Sequence, residues 1–296
     1  MGFSNVSVIS LISCLCFVPS AQAVYSTYQE RIATAPEISQ SSEGLSINDL
    51  RARSRAITVK IMAGETWGSG IIIERRGQVY TVLTNAHVLR IGDNYRIQTA
   101  DGRTYSGRVS RNVNFNDEDL AIINFESSRN YAIASIAQAP IKIGDETFAS
   151  GFPNDTNDWL FTIGKIEYLL PQSFQGGYQI GYSNDIFKGM SGGPVLNRRG
   201  ELVAINGRHK HPLWGNPFVF LDGSTPVAKI RTQFEESSWA VPVERFLRRI
   251  PAFAQGAVDP KAELPYPSVP VTPQPPIPTN DIPIPANSLN RSGWVW

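Results

Sequence analysis

A chain of 296 residues with 42% hydrophobic and 10% aromatic side chains carries enough apolar material for one large or two small folded domains. With 27 Lys and Arg against 26 Asp and Glu, and 18% charged residues in all, it projects no long-range field. That excludes nucleic acid or an anionic surface as a partner held by bulk charge, and the tight basic cluster Arg51, Arg53 and Arg55 reads as a solvated face.

The first predicted element is an export signal over residues 1–23. Val6–Val18 is an apolar run too short to span a bilayer comfortably, and Pro19-Ser20-Ala21-Gln22-Ala23 ends in the small-x-small pattern of a cleavage site. The run is atypical in having no Lys or Arg before it. A mature chain starting at Val24 is expected to be periplasmic or extracellular, without a stable membrane span. Cys14 and Cys16 both fall inside the signal, so the mature chain is expected to form no disulfide and no thiolate metal site. Leu11-Ile12-Ser13-Cys14 also resembles a lipoprotein processing site, which leaves lipid anchoring as an alternative.

Residues 24–56 read as a leader, rich in Ser, Gln, Glu and Thr, in which Ser46-Ile47-Asn48-Asp49 predicts the cap of a short helix over Leu50–Ala56. From Ile57 the pattern changes to short β-branched or aromatic runs separated by Gly, Asn and Asp. They are Ile57–Met62, Gly70–Ile73, Gln78–Thr84, Tyr95–Gln98, Leu120–Ile123, Thr147–Ala149, Leu160–Ile163, Tyr178–Tyr182, Val195-Leu196 and Leu202–Ile205. So many short strands predict an all-β sandwich or barrel. A helical pattern returns only in Val243–Ile250, where Pro251 ends it. Residues 251–296, with prolines at short intervals up to Pro285 and an apolar end at Trp294-Val295-Trp296, predict an extended tail, either a spacer or a segment for a partner.

The stretch with the clearest chemistry is Gly189-Met190-Ser191-Gly192-Gly193-Pro194. Glycines permit a tight turn that exposes a serine hydroxyl and aims the N–H groups of Gly189 and Ser191 at a developing oxyanion; the same composition would also suit a plain hairpin turn. A serine nucleophile needs a base, and three histidines are available. His87 stands directly after a predicted strand. His209 and His211 lie in a polar loop, and their alternate spacing lacks a thiolate or carboxylate to complete a metal site. Asp119 opens the run Leu120–Ile123 and is placed to orient an imidazole, whereas Asp117 and Glu118 read as solvated loop charges. The order His87, Asp119, Ser191 is that of chymotrypsin-type triads and differs from the subtilisin and α/β-hydrolase orders.

Trp67-Gly68-Ser69-Gly70-Ile71-Ile72, Leu83-Thr84-Asn85-Ala86-His87-Val88, Asp119-Leu120-Ala121-Ile122-Ile123 and Gly189–Val195 together resemble successive blocks of bacterial trypsin-like serine peptidases related to the high-temperature-requirement proteases. Ile143-Gly144-Asp145 and Ala149-Ser150-Gly151-Phe152-Pro153 are similar too, and the likeness runs from about Ile57 to about Val243. The resemblance implies two six-stranded antiparallel β-barrels, a short C-terminal helix and a Pro-rich tail. It makes His87 the general base, Asp119 its orienting carboxylate, Ser191 the nucleophile, and the N–H groups of Gly189 and Ser191 the oxyanion hole. It implies protein or peptide substrates, paired as an added strand on Ala204–Gly207 with Asn206 and Gly207 in the binding edge, and no metal or cofactor.

Two departures from the pattern are informative. Met190 replaces the aspartate that precedes the nucleophile in vertebrate trypsins and serves their N-terminal activation switch, and no peptide-binding domain is apparent after the barrels. Asp185, six residues before Ser191, has the offset of the acidic pocket base in trypsin-like enzymes selective for Arg or Lys, although Asn184-Asp185 also reads as a turn. The alternative to a peptidase is a protease-like binding or adaptor protein acting through its Pro-rich tail.

Overall fold

The computed structural model describes residues 44–90, 92–156, 158–211 and 217–250, so the predicted signal, most of the leader and the Pro-rich tail lie outside the described residues. Strands β1 (Thr58–Ala63), β2 (Thr66–Arg76), β3 (Val79–Thr84), β4 (Tyr95–Gln98), β5 (Thr104–Val109) and β6 (Ala121–Glu126) close a barrel in the order β1-β2-β3-β6-β5-β4. A second barrel, in the order β10-β11-β12-β9-β8-β7, is built from β7 (Glu146–Gly151), β8 (Leu160–Leu169), β9 (Ile180–Tyr182), β10 (Pro194–Leu196), β11 (Leu202–Arg208) and β12 (Ser238–Pro242). Neighbouring strands are antiparallel throughout, which gives the two six-stranded barrels that the motifs implied. Among the described residues three α-helices accompany them: α1 (Ile47–Ile57), α2 (Ala228–Glu235) and α3 (Val243–Arg249).

Side-chain alternation divides each strand between two apolar environments. Ile72, Val82 and Ile123 lie opposite one another across β2, β3 and β6 and point into the first barrel, while their chain neighbours Ile71, Leu83 and Ile122 point to the second. The outward set joins Phe148, Tyr178, Ile205, Trp239, Val241 and Phe246 in a cluster spanning both barrels. Because both faces are apolar, these strands read in sequence as continuous runs. Each such side chain contributes about 1.5–3 kcal/mol on burial.

Helix α1 begins one turn earlier than the sequence suggests. Ser46 is extended (φ −61°, ψ 157°) and its Oγ accepts from the Asp49 N–H at 3.1 Å, so the capping residue is the predicted one. The helix continues into β1 yet packs on β7: Leu50, Ser54 and Ile57 are buried, and the Ser54 and Thr58 hydroxyls lie 2.8 and 3.0 Å from Ser150 Oγ. The basic cluster is correspondingly not a solvated face. The Arg51 guanidinium lies 4.7 Å from the Phe161 ring centroid, and that of Arg55 lies 5.4 and 5.3 Å from those of Phe152 and Trp159.

Strands β5 and β12 and helix α2 escaped the sequence pattern. Strand β5 buries none of its six residues, so it shows no apolar period, and its pairing with β4 and β6 is what defines it. Helix α2 has no side-chain cap and buries only Phe234, whose carbonyl accepts from Trp239 Nε1 at 2.9 Å. Its stability therefore comes from one aromatic anchor and not from amphipathic spacing.

Candidate active site

His87 sits in a 3₁₀ turn, Ala86–Arg90, directly after β3. The turn is fastened to the segment that leads into β6: Asn85 Nδ2 donates to the Asp119 carbonyl at 2.8 Å, and the His87 N–H donates to Asp119 Oδ1 at 2.9 Å. His87 Nδ1 then lies 2.6 Å from Asp119 Oδ2, with the two side chains 16% and 11% exposed. The imidazole is thus held through both its backbone and its ring by one carboxylate, which leaves Nε2 to face away from it.

Burial alone would raise the Asp119 carboxyl pKa. The His87 imidazole beside it, with hydrogen bonds from His87 and the Tyr178 hydroxyl, outweighs burial and holds it down to about 2. Asp119 therefore remains an anion across the range in which an imidazole titrates. Its sequence neighbours behave differently: Asp117 is exposed, but Glu118 is not a solvated loop charge, since its Oε1 pairs with Arg245 Nη1 at 2.9 Å and both side chains are 13% exposed.

Ser191 comes from the second barrel on a turn that only glycine can shape. Gly189 and Gly192 have φ of +96° and +85°, and a Cβ at Gly192 would overlap the Ser69 carbonyl and Thr84 Oγ1. That close approach seats the serine turn against the end of β3, three residues before His87. Further ties fix it: Ser69 N–H donates to the Ser191 carbonyl at 2.8 Å, Ser69 Oγ donates to the Gly189 carbonyl at 2.8 Å, and Gly192 N–H donates to the Asn206 carbonyl at 2.9 Å. Met190 is fully buried in the second barrel, and its Sδ accepts from the Phe187 N–H at 3.4 Å. Among the described residues neither the Gly189 nor the Ser191 N–H donates to a protein acceptor, while the Ser191 hydroxyl rests on the Gly207 carbonyl at 3.2 Å.

The remaining sequence candidates are more scattered. Asn206 is fully buried; its Nδ2 donates to the Ser150 carbonyl at 3.0 Å and its Oδ1 accepts from the Tyr182 hydroxyl at 2.7 Å. Ala204, Ile205 and Asn206 are paired on one side with β12 and on the other with residues 193–195, so β11 is not an edge there. At Gly207 the side facing Ser191 has no strand partner among the described residues, and the edge expected over Ala204–Gly207 begins only at its last residue. Asp185 has a 70% exposed side chain and accepts from Lys210 Nζ at 2.9 Å, while the adjacent Asn184 is buried and bonds Thr147 Oγ1 at 2.6 Å. His209 Nδ1 contacts the Lys210 carbonyl at 2.7 Å, and His211 Nε2 lies 3.6 Å from a Glu236 carboxylate oxygen.

Sequence reasoning missed Ser69 and Tyr178 as parts of this neighbourhood. Ser69 was legible only as a member of the Trp67–Ile72 block. Tyr178 reads as a strand residue, although the Gly176-Gly177 pair before it signals a backbone pressed against another segment.

Two closed six-stranded barrels, with a histidine–aspartate pair on the first and a glycine-held serine pressed against it from the second, make the layout of the trypsin-like class. Residues 68–205 match the family model for the trypsin-like peptidase domain. It is 34% identical over 149 residues to the putative serine protease HhoA of Synechocystis sp., covering 47% of this chain and 36% of that one. A probable periplasmic serine endoprotease DegP-like of Buchnera aphidicola is 32% identical over 157 residues, covering 50% and 31%. The chain thus spans about a third of the length of these curated relatives. The crystal structure of the serine endoprotease from Yersinia pestis shares the fold, with a TM-score of 0.52 at 20% identity over 72% of this chain and 68% of that one. No helix among the described residues is long and apolar enough to cross a membrane.

Proposed function

We propose that the chain is an exported serine endopeptidase of the DegP and HhoA type that hydrolyses protein or peptide substrates through an acyl-enzyme on Ser191. The observation that carries this reading is the seating of the Ser191 turn against the end of β3, beside a His87 already engaged by Asp119. In this reading the Ser191 hydroxyl turns from the Gly207 carbonyl to His87 Nε2. As its oxygen adds to the scissile carbonyl carbon, the proton passes to the imidazole, and the oxyanion is received by the N–H groups of Gly189 and Ser191. Collapse breaks the C–N bond, and His87 returns the proton to the leaving amine. A water deprotonated by His87 then adds to the acyl ester, and Ser191 leaves with that proton. Asp119 stays ionised and keeps the imidazole in the Nδ1–H tautomer. The sequence requires no metal or cofactor.

The buried Met190 supports a turn that is set by core packing and not by a newly cut N-terminus. Removal of residues 1–23 accords with the signal-like sequence, and a periplasmic location accords also with the name of the DegP-like relative. The finer part of the proposal is a preference for Arg or Lys read by Asp185: a basic substrate side chain would displace Lys210 from that carboxylate.

The test is Ser191→Ala in the purified mature protein, assayed on a mixed peptide library and with an active-site phosphonylating probe. The expected result is wild-type hydrolysis and labelling, with turnover lower by several orders of magnitude and no labelling in the variant. A wild-type protein that neither hydrolyses the library nor takes the label overturns the peptidase reading in favour of an adaptor.

A further inference from the structure

The polar group outside the three proposed catalytic residues that reaches furthest into them is the Tyr178 hydroxyl. Tyr178 is 2% exposed and follows the turn between β8 and β9, in which the Gly177 N–H donates to the Phe174 carbonyl at 3.0 Å and the Phe174 N–H to the Tyr178 carbonyl at 2.8 Å. This turn belongs to the second barrel but clasps the first: the Asp119 N–H donates to the Gly176 carbonyl at 2.9 Å, and the Tyr178 hydroxyl donates to Asp119 Oδ2. The same oxygen receives His87 Nδ1.

Resting on the peptidase reading above, we propose that Tyr178 is a positioning residue for the reaction, its hydroxyl fixing the Asp119 carboxylate in the orientation that holds His87. Among the described residues the carboxylate has two other donors. Both are groups of His87, its N–H and its Nδ1, which is the residue Asp119 has to orient. A carboxylate tied only to the histidine could drift together with it. Tyr178 supplies an independent reference, anchored in the barrel that carries Ser191.

The tyrosine is itself held by two neighbours on β11. The Arg208 guanidinium lies 4.0 Å from the ring centroid, and a Cβ at Gly207 would overlap the ring and the hydroxyl. The Ser191 hydroxyl rests on the carbonyl of that same Gly207. Tyr178 therefore sets the carboxylate in register with the backbone that lies beside the nucleophile. It also remains a donor: burial, and then the charge of Asp119, push the phenol pKa well above its ordinary value, against a smaller opposing effect of Arg208. The titratable and charged groups that face the Asp119–Tyr178 contact are His87 after β3, Arg208 on β11, Tyr182 on β9, and the Glu118–Arg245 pair beside Asp119.

Tyr178→Phe in the full mature protein keeps the ring and removes the hydroxyl. The expected result is a roughly tenfold lower kcat with KM within about twofold, since the group touches no substrate. Loss of the donor makes the carboxylate a stronger partner for a protonated imidazole, so the acid limb of kcat/KM should move up by roughly half a unit or more. The low-field His87 Nδ1–H proton resonance should shift in the substrate-free protein as well. Unchanged kcat and acid limb overturn the proposal, as does a kcat loss that only follows the unfolded fraction while the limb stays in place. If the wild-type protein takes no phosphonylating label, the peptidase reading has failed, and the His87 resonance still decides the positioning claim: an unshifted signal in Tyr178→Phe sinks it.

Discussion

Asp119 concentrates the electrostatics of the site because its carboxylate is buried and receives hydrogen bonds from two residues on two barrels. Its pKa is lowered from 3.8 to about 2, which makes it a source of stability above the unfolded value that is lost as pH falls through the folded one. The window is therefore from about pH 4 down to about pH 2, and the contribution is about 2 kcal/mol. Urea denaturation across that window should show a steeper loss for the wild type than for Asp119→Asn. The same substitution should lower turnover by about four orders of magnitude, because the amide favours the wrong imidazole tautomer. Asp185 poses a different question, since its partner Lys210 already occupies the carboxylate. If Asp185 reads a basic side chain, Asp185→Ser should abolish cleavage after Arg and Lys in a proteome digest. An unaltered cleavage profile would remove the preference and leave the proposed triad untouched.

Helix α1 is the element that ties the entry of the first barrel to the second. Leu50 is fully buried within the cluster between the barrels, beside the hydroxyl group contacts of Ser54, Thr58 and Ser150. Leu50→Ala should cost about 2–5 kcal/mol in urea denaturation while leaving kcat of the folded fraction unchanged, because the helix touches no catalytic group. The cap of this helix was legible in Ser46, and β4 was legible to the residue in Tyr95–Gln98, since both are set by local chemistry: a capping oxygen in one case, an alternating run between turn residues in the other. The catalytic candidates were legible for a similar reason, each lying in a short block with its own turn glycines or strand start. What stayed hidden depends on contacts far apart in sequence. No local pattern announces that Tyr178 reaches Asp119, 59 residues away, or that Arg51 and Arg55 find aromatic rings on the second barrel. Nor could the doubly paired state of Asn206 be read without knowing which strands flank β11.

For the molecule as a whole, splitting the site between barrels makes activity depend on their packing. The cluster shared by the two barrels includes Leu83 and Ile122 from one and Ile205 and Trp239 from the other, so the barrels should unfold together. Peptidase activity and Trp239 fluorescence are expected to be lost in one coincident transition. The polar counterpart of that cluster is the Glu118–Arg245 pair, which joins the residue next to Asp119 to helix α3, while Arg245 Nη2 also donates to Gln179 Oε1 at 3.0 Å. Arg245→Met would leave a buried carboxylate unpaired, at a cost of about 3–5 kcal/mol. The pair is itself incompletely satisfied, since Glu118 Oε2 and Arg245 Nε have no partner among the described residues. Adding Glu118→Gln should therefore recover most of the loss, because removing both charges also removes their desolvation. Activity in the single variant should fall in step with the folded fraction. If it vanishes while the fold is intact, the pair acts on Asp119 directly; if two separate transitions appear, the barrels are independent and the shared cluster does not hold them as one unit.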